Sequence, residues 1–316
     1  MKILVIQNRM GIGDTVIFLP YIKAISRKFE IPVSLLVKES SKADQFLEKT
    51  NYIDNIIILE RDKENLGKHE GILGSLNLIK DLKKHNFDKV FIFNSSFRFY
   101  LIAKLSRIPN IYQYPLFKKS NQHITDTAKE FIKRNLNIDV NEDPEIEIID
   151  KVASNINVDS KNTNILLGIG GSGPTKRIPS ETFIKVIDEL SKDKKCTFYL
   201  ATGKNNEEQI ILKKILQSKY SKSCVALDDL SIKEILPIIK RCHVSVCNDS
   251  SFSHLSAALG IKTITLMADT PLVYGNYSSK MHPIIPDGAE TVNHKTLGKE
   301  NINPDKIIKK LFELLN

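Results

Sequence analysis

Eight short apolar runs, at residues 3–6, 33–37, 56–59, 90–93, 165–168, 197–201, 244–247 and 263–267, recur along the chain with amphipathic stretches between them. The runs are rich in β-branched residues and mostly lack polar alternation, as strands buried on both faces of a parallel sheet do. Between them the apolar period changes. Phe183, Val186, Ile187 and Leu190 are spaced by three and four within 180–193, which puts them on one side of a helix. Residues 206–216 and 231–241 behave in the same way. This alternation predicts a doubly wound α/β fold.

A length of 316 residues suits two domains of about 150 each rather than one core. The strand–helix rhythm pauses between 137 and 162, a stretch rich in Asn, Asp and Lys, and restarts with a fresh strand. The expected domains are therefore 1–155 and 156–316, with a cleft between them as the natural binding site, because parallel sheets bind ligands beyond the C-terminal ends of their strands. Residues 270–300 read as irregular. A last helix is expected over 304–315, with Pro304 in its first turn.

Apolar residues at 41% and charged residues at 26% fit a soluble globular chain. The formal charge of +9 is spread as pairs such as Lys83-Lys84 and Lys309-Lys310, without a dense basic arm. Such a surface favours nucleotide phosphates, an acidic glycolipid or an anionic membrane face. No aromatic-and-basic signature points to nucleic acid. Cys196, Cys224, Cys242 and Cys247 form no CxxC pair and read as small buried thiols in a reducing compartment. No apolar stretch approaches the roughly 20 residues of a membrane span, and the N-terminus does not read as a signal peptide. A cytoplasmic protein is expected, open to peripheral contact with the inner membrane.

Three segments carry chemistry. Gly11-Ile-Gly13-Asp14 follows the first strand and opens a helix; Val16 stands where a dinucleotide fingerprint needs a third glycine, so an NAD site is not expected. Asp14 is placed either to cap the helix or to take a proton from a hydroxyl. The second segment, Gly168-Ile-Gly-Gly-Ser-Gly-Pro-Thr-Lys-Arg-Ile-Pro179, sets glycines, hydroxyls and two cations at a helix entrance, which is an anion-binding environment without the P-loop spacing. In the third, Asn248-Asp-Ser-Ser-Phe-Ser-His-Leu-Ser-Ala-Ala258, small side chains allow close backbone approach. A hydrolase triad of Ser253, His254 and Asp249 is disfavoured, because the nucleophile-elbow glycines are missing. Glu207 and Glu208 are weaker candidates for a ribose hydroxyl, and Asp269, Pro271 and Gly275 for a turn lining the site. His123, His282 and His294 have no metal-ligand spacing.

Together these segments resemble glycosyltransferase family 9, the heptosyltransferase-like enzymes of the GT-B fold, over most of the chain. The resemblance implies two Rossmann-like domains, the first on the acceptor side and the second binding a nucleotide sugar. It implies an inverting, metal-independent transfer from a nucleotide-sugar donor, ADP-linked and carrying heptose or a related sugar, to a hydroxyl of a bacterial surface glycan such as lipopolysaccharide core. Gly-Ile-Gly-Asp14 with Pro20 resembles the family's N-terminal signature, which makes Asp14 the catalytic base. Lys176, three residues before Pro179, is similar to the residue that contacts the diphosphate. The run from Asp249 resembles the C-terminal donor motif. The implied donor set is Gly13, Ser172, Thr175, Lys176, Arg177, Glu207, Asp249, Ser250, Ser251, Ser253 and His254, with no cofactor and no metal. Departures are Ser251 in place of the usual Gly, Ser253 before the His, Ile178 in place of an aromatic, and Asn8 with Arg9 beside it where an Arg is usual. Closure by a hinge is expected, with an anionic glycolipid acceptor on a wall including Lys104, Arg107, Lys118 and Lys119. The rival readings are a GT-B-like nucleotide-sugar epimerase, a non-catalytic nucleotide-sugar-binding protein and a Rossmann oxidoreductase.

Overall fold

A computed structural model describes residues 1–61, 67–116, 123–148, 156 and 158–316. The chain divides into two compact units, Met1–Glu147 and Ile148–Asn316.

In the first unit, strands β1 (Ile3–Ile6), β2 (Val33–Lys38), β3 (Ile53–Leu59), β4 (Lys89–Ile92) and β5 (Asn110–Gln113) form one sheet in the order β3-β2-β1-β4-β5. Every pairing in it is parallel. Helices α1 (Ile12–Phe29), α2 (Gly71–Lys83), α3 (Phe97–Leu105) and α4 (Ile124–Leu136) follow strands β1, β3, β4 and β5. Right-handed crossovers that first run one way from β1 and then return must place their helices on opposite faces. Accordingly α1 packs with α4 and α2 with α3. β1 is entirely buried because it has helices above and below and strands on both sides.

The second unit repeats the plan. Strands β6 (Thr163–Gly168), β7 (Cys196–Ala201), β8 (Cys224–Ala226), β9 (Val244–Asn248), β10 (Thr263–Leu266) and β11 (Met281–Ile284) stand in the order β11-β10-β9-β6-β7-β8, again all parallel. Helices α5 (Ser180–Asp193), α6 (Asn206–Leu216), α7 (Ile232–Lys240), α8 (Ser251–Ala258) and α9 (Pro304–Leu315) complete it. The expected stripe on α5, Phe183, Val186, Ile187 and Leu190, is wholly buried against β6, β7 and the Ile307 and Leu311 side of α9. Both units are thus Rossmann-like doubly wound domains.

Two expectations need correction. Residues 270–300 are not simply irregular, since β11 lies within them. Pro283 can sit in that strand because β11 is at the sheet edge, where a missing N–H breaks no ladder on the open side. Asp14 does not cap α1. Gly11 holds the N-cap position with φ of 96°, a conformation open to glycine, and Asp14 lies three residues further in.

All four cysteines are free. Burial pushes the Cys224 thiol up to about 11, and pushes Cys247 up to about 12 despite hydrogen bonds from Gly168, Ser245 and Ser256. Neither is a reactive thiolate near neutral pH.

Candidate functional site

In each sheet the strand order reverses at one place, between β1 and β4 in the first and between β6 and β9 in the second. The loops that leave a parallel sheet on either side of such a reversal diverge and open a crevice at the strands' C-terminal ends. The three motif segments leave their sheets at these two places.

In the second unit, the loop after β6 and the entrance to α8 after β9 meet through one ion pair. Lys176 Nζ lies 2.7 Å from Asp249 Oδ2, with the carboxylate buried and the lysine side chain 23% exposed. Burial pushes the Asp249 carboxyl up, but the charges of Lys176 and His254 and the Lys176 hydrogen bond outweigh it and hold it below the usual carboxylate range. Asn248 Nδ2 donates to the Ile169 carbonyl at 2.8 Å, which ties the two loops together beneath the pair. Arg177 Nε donates to the Gly171 carbonyl at 2.9 Å, and its guanidinium pairs with Glu207, whose side chain is largely exposed.

Glu208 is the buried one of the adjacent glutamates. It accepts the Gly171 N–H at 2.6 Å, and Asn205, the N-cap of α6, orients its backbone N–H at 3.0 Å. A Cβ on Gly170 or on Gly203 would stand 2.5 Å from its carboxylate oxygens, so a larger residue at either position would displace the Glu208 carboxylate. Thr175 hydrogen-bonds Asp269 from the loop after β10; burial raises that carboxyl, while hydrogen bonds from the Leu297 N–H and Thr175 and the nearby His294 bring it down overall. Ser172 is exposed.

At α8, Ser250 is the N-cap and its Oγ is buried with no partner among the described residues. The N–H groups of Ser251 and Phe252 precede the helix's own ladder and carry the positive end of its dipole. Ser253 does not present its hydroxyl as a ligand group: it is fully buried and donates to the Ser250 carbonyl at 2.7 Å. His254 is also buried. Its Nδ1 is 2.7 Å from the Tyr277 hydroxyl and its Nε2 3.9 Å from Asp249 Oδ1. Tyr277 gave no signal in the sequence, because it lies in the irregular stretch after β10.

In the first unit Asp14 stands in the first turn of α1, where the helix dipole favours a carboxylate, and Arg9 Nε holds its Oδ1 at 2.9 Å. Gly13 precedes it in the same turn. Lys38 ends β2 nearby. Burial and the charge of Arg61 lower its pKa, and the charges of Asp14 and Glu70 oppose that. Arg61 forms two bonds to Glu70, at 3.0 and 3.2 Å, while Arg98 donates to the His69 carbonyl at 2.6 Å. Burial and Arg61 lower the Arg98 pKa in turn. Lys38, Arg61 and Arg98 therefore form a cationic group at the same sheet edge as Asp14. Lys104 and Arg107, expected on an acceptor wall, sit instead at the far end of α3. A crossover helix runs back against its strands, so that end lies at the opposite edge of the sheet. Lys118 and Lys119 lie outside the described residues. Among the described residues, no group of three His, Cys, Asp or Glu side chains could hold a metal ion. His123 caps α4 by accepting the Thr125 N–H.

The family model described as glycosyltransferase family 9 (heptosyltransferase) matches residues 76–299. Lipopolysaccharide heptosyltransferase 1 of Campylobacter coli is 23% identical, with 99% of each chain covered. A glycosyl transferase family 9 structure from Veillonella parvula overlays with a TM-score of 0.81 at 18% identity, covering 99% of this chain and 97% of that one. The E. coli ADP-heptose lps heptosyltransferase II overlays with a TM-score of 0.75 at 17% identity, covering 100% and 98%.

Proposed function

Because the chain belongs to glycosyltransferase family 9, the heptosyltransferase family, we propose that it moves a heptose or closely related sugar from an ADP-linked donor to a hydroxyl of a lipopolysaccharide-type core glycan, in one inverting displacement that needs no metal ion. The names of the Campylobacter coli relative and the E. coli neighbour support the sugar, the nucleotide and the acceptor class. The observation that carries the reading is the Lys176–Asp249 pair between the loop after β6 and the start of α8, where a strand reversal opens an anion-binding crevice.

In this reading the second unit holds the donor. Lys176 and Arg177 and the N–H groups around Ser172, Thr175, Ser250 and Ser251 face the diphosphate, while Asp249, with His254 behind it, keeps Lys176 in place. Glu207 is the residue offered to the ribose. The first unit supplies Gly13, Asp14 and the acceptor. Asp14 takes the proton of the acceptor hydroxyl as its oxygen bonds to the anomeric carbon. The bond from that carbon to the diphosphate breaks, and its electron pair leaves with the nucleoside diphosphate. Developing charge there is met by fixed cations and N–H dipoles, which need no reorganisation at the moment of reaction. Lys38, Arg61 and Arg98 offer the anionic acceptor a docking place beside Asp14.

The test is Asp14→Asn assayed with ADP-heptose and a core acceptor. Turnover should fall about a hundredfold or more, as for loss of a general base, while ADP affinity and melting temperature stay unchanged. Undiminished turnover would refute the assignment of the base.

A further inference from the structure

Ile72 and Leu73 are 84% and 76% exposed on the first turn of α2, and Leu76 stands one turn on. Single exposed leucines are ordinary. Here, however, six of the ten large hydrophobic residues exposed among the described residues sit on one helix pair, these three with Phe97, Leu101 and Leu105 of α3. That concentration is not the scatter of an ordinary solvated surface. Phe97, Leu101 and Leu105 are spaced by four and form one stripe. The two helices lie side by side: Arg98 Nε donates to Ser75 Oγ at 3.0 Å, and the Ser106 hydroxyl reaches the Ile79 carbonyl at 3.5 Å. Their inward sides share a core through Leu78, Leu82, Phe99 and Ile102. Their outward sides are therefore neighbours.

Charge indicates what this face meets. Residues 71–107 carry two aspartates and seven lysine or arginine residues, of which Lys89 lies over Phe29 of α1 and Arg98 is turned inward to Ser75 and His69, leaving five cations for the helix pair and its ends. Lys80 and Lys83 lie exposed on the outward side of α2, and Lys104 and Arg107 are exposed at the end of α3. One of the two aspartates, Asp81, is engaged by Lys68, His69 and Lys84, and the Lys68 hydrogen bond leads in holding its carboxyl well below the usual range. No helix among the described residues is long and apolar enough to cross a membrane.

We propose that the outward face of α2 and α3 docks on an anionic lipid bilayer. Ile72, Leu73, Leu76 and Leu101 enter the boundary between headgroups and acyl chains, and the lysines and Arg107 pair with lipid phosphates. A second copy of the chain fits this face poorly, because a two-fold contact would set these cations against each other. The ends of α2 and α3 that carry Ile72 and Phe97 lie at the Asp14 edge of the sheet, so docking brings that edge towards the lipid surface. The contact goes beyond the transfer reaction and is measured without donor or acceptor.

The test is co-sedimentation of the full chain with vesicles of phosphatidylcholine alone or mixed equally with phosphatidylglycerol. The wild type should partition onto the mixed vesicles at least tenfold better, and high salt should remove most of the gain. Ile72→Gln/Leu76→Gln/Leu101→Gln should lower partitioning about tenfold. Lys80→Gln/Lys83→Gln should also lower it, by about 25-fold at about fivefold per cation, and provides a second arm should the apolar variant misfold. Circular dichroism and thermal melting check both folds. Equal partitioning onto both vesicles, or variants that bind as the wild type does, would overturn the proposal. So would a concentration-dependent dimer in ultracentrifugation that disappears in the apolar variant, which would assign the face to a second copy.

Discussion

At the scale of single residues, the buried partner of Lys176 decides how any substitution there should be read. Asp249 is nearly inaccessible, and removing its cation leaves a carboxylate with little water to stabilise it. Lys176→Met should therefore do two things at once. It should weaken ADP binding, and it should destabilise the second unit by about 3 kcal/mol, the lower end for a broken buried pair, since the lysine side chain partly reaches solvent. Lys176→Met/Asp249→Asn should recover most of the stability but none of the affinity, which separates the two roles in a double-mutant cycle. Acid provides a second check. The Asp249 carboxyl lies below its unfolded value of about 3.9. Its contribution is therefore complete above that value and fades as pH falls through the lower, folded one. Urea titrations between neutral pH and about pH 3 should show the wild type losing more stability than Asp249→Asn; parallel losses would mean that the pair contributes nothing.

At the scale of elements, the start of α6 separates two neighbouring glutamates. Glu208 accepts a buried loop N–H, whereas Glu207 is exposed and pairs with Arg177. Glu208→Ala should cost about 1–3 kcal/mol for the unpaired N–H and loosen the loop after β6. Glu207→Ala should leave stability nearly unchanged and weaken nucleotide binding. Chemical denaturation and ADP titration of both variants check this, and the reverse pattern would move the nucleoside contact to Glu208. The sequence could not rank the two, because the difference lies in which way each points from the helix. Legibility elsewhere followed the same physics. The strands β1, β2, β4, β6, β7, β9 and β10 are covered on both sides and read as apolar runs; β3, although an edge strand, also read as one because residues 56–59 are four consecutive apolar residues. β5, β8 and β11 are sheet edges, short and half-exposed, and they did not. Helices α5, α6 and α9 were legible to the residue because each carries an apolar stripe, which in α6 and α9 begins at a side-chain cap, Asn205 and Asn303. The loops bearing Asp14, Lys176 and Asp249 stood out by composition. The group formed by Lys38, Arg61 and Arg98 did not, since it depends on sheet register: Lys38 pairs with Leu59, two residues before Arg61, and Arg98 arrives from the start of α3.

At the scale of the whole molecule, a chain of two separate cores should not respond to ligand as one body. Each unit has its own sheet and hydrophobic core, so its unfolding need not be a single two-state step. ADP at about a hundredfold its Kd should stabilise the unit that binds it by about 2.7 kcal/mol. For a unit of this size that is a rise of about 5–11 °C in melting temperature. If the second unit alone holds the nucleotide, one calorimetric transition should move and the other should remain. Hydrogen exchange gives the residue-level version of the same expectation. ADP should slow exchange at the amides of the loop after β6 and the first turn of α8, because the nucleotide covers N–H groups that no strand or helix uses. It should leave the ends of β2 and β3 unchanged. A soluble anionic core glycan should do the opposite, slowing exchange around Lys38, Arg61 and the start of α3, and more weakly at high salt, where partly exposed cations are screened. The expected pattern is two non-overlapping footprints, one in each unit. Protection by ADP around Lys38 and Arg61, or by the glycan around Lys176, would overturn the assignment of donor to the second unit and acceptor to the first.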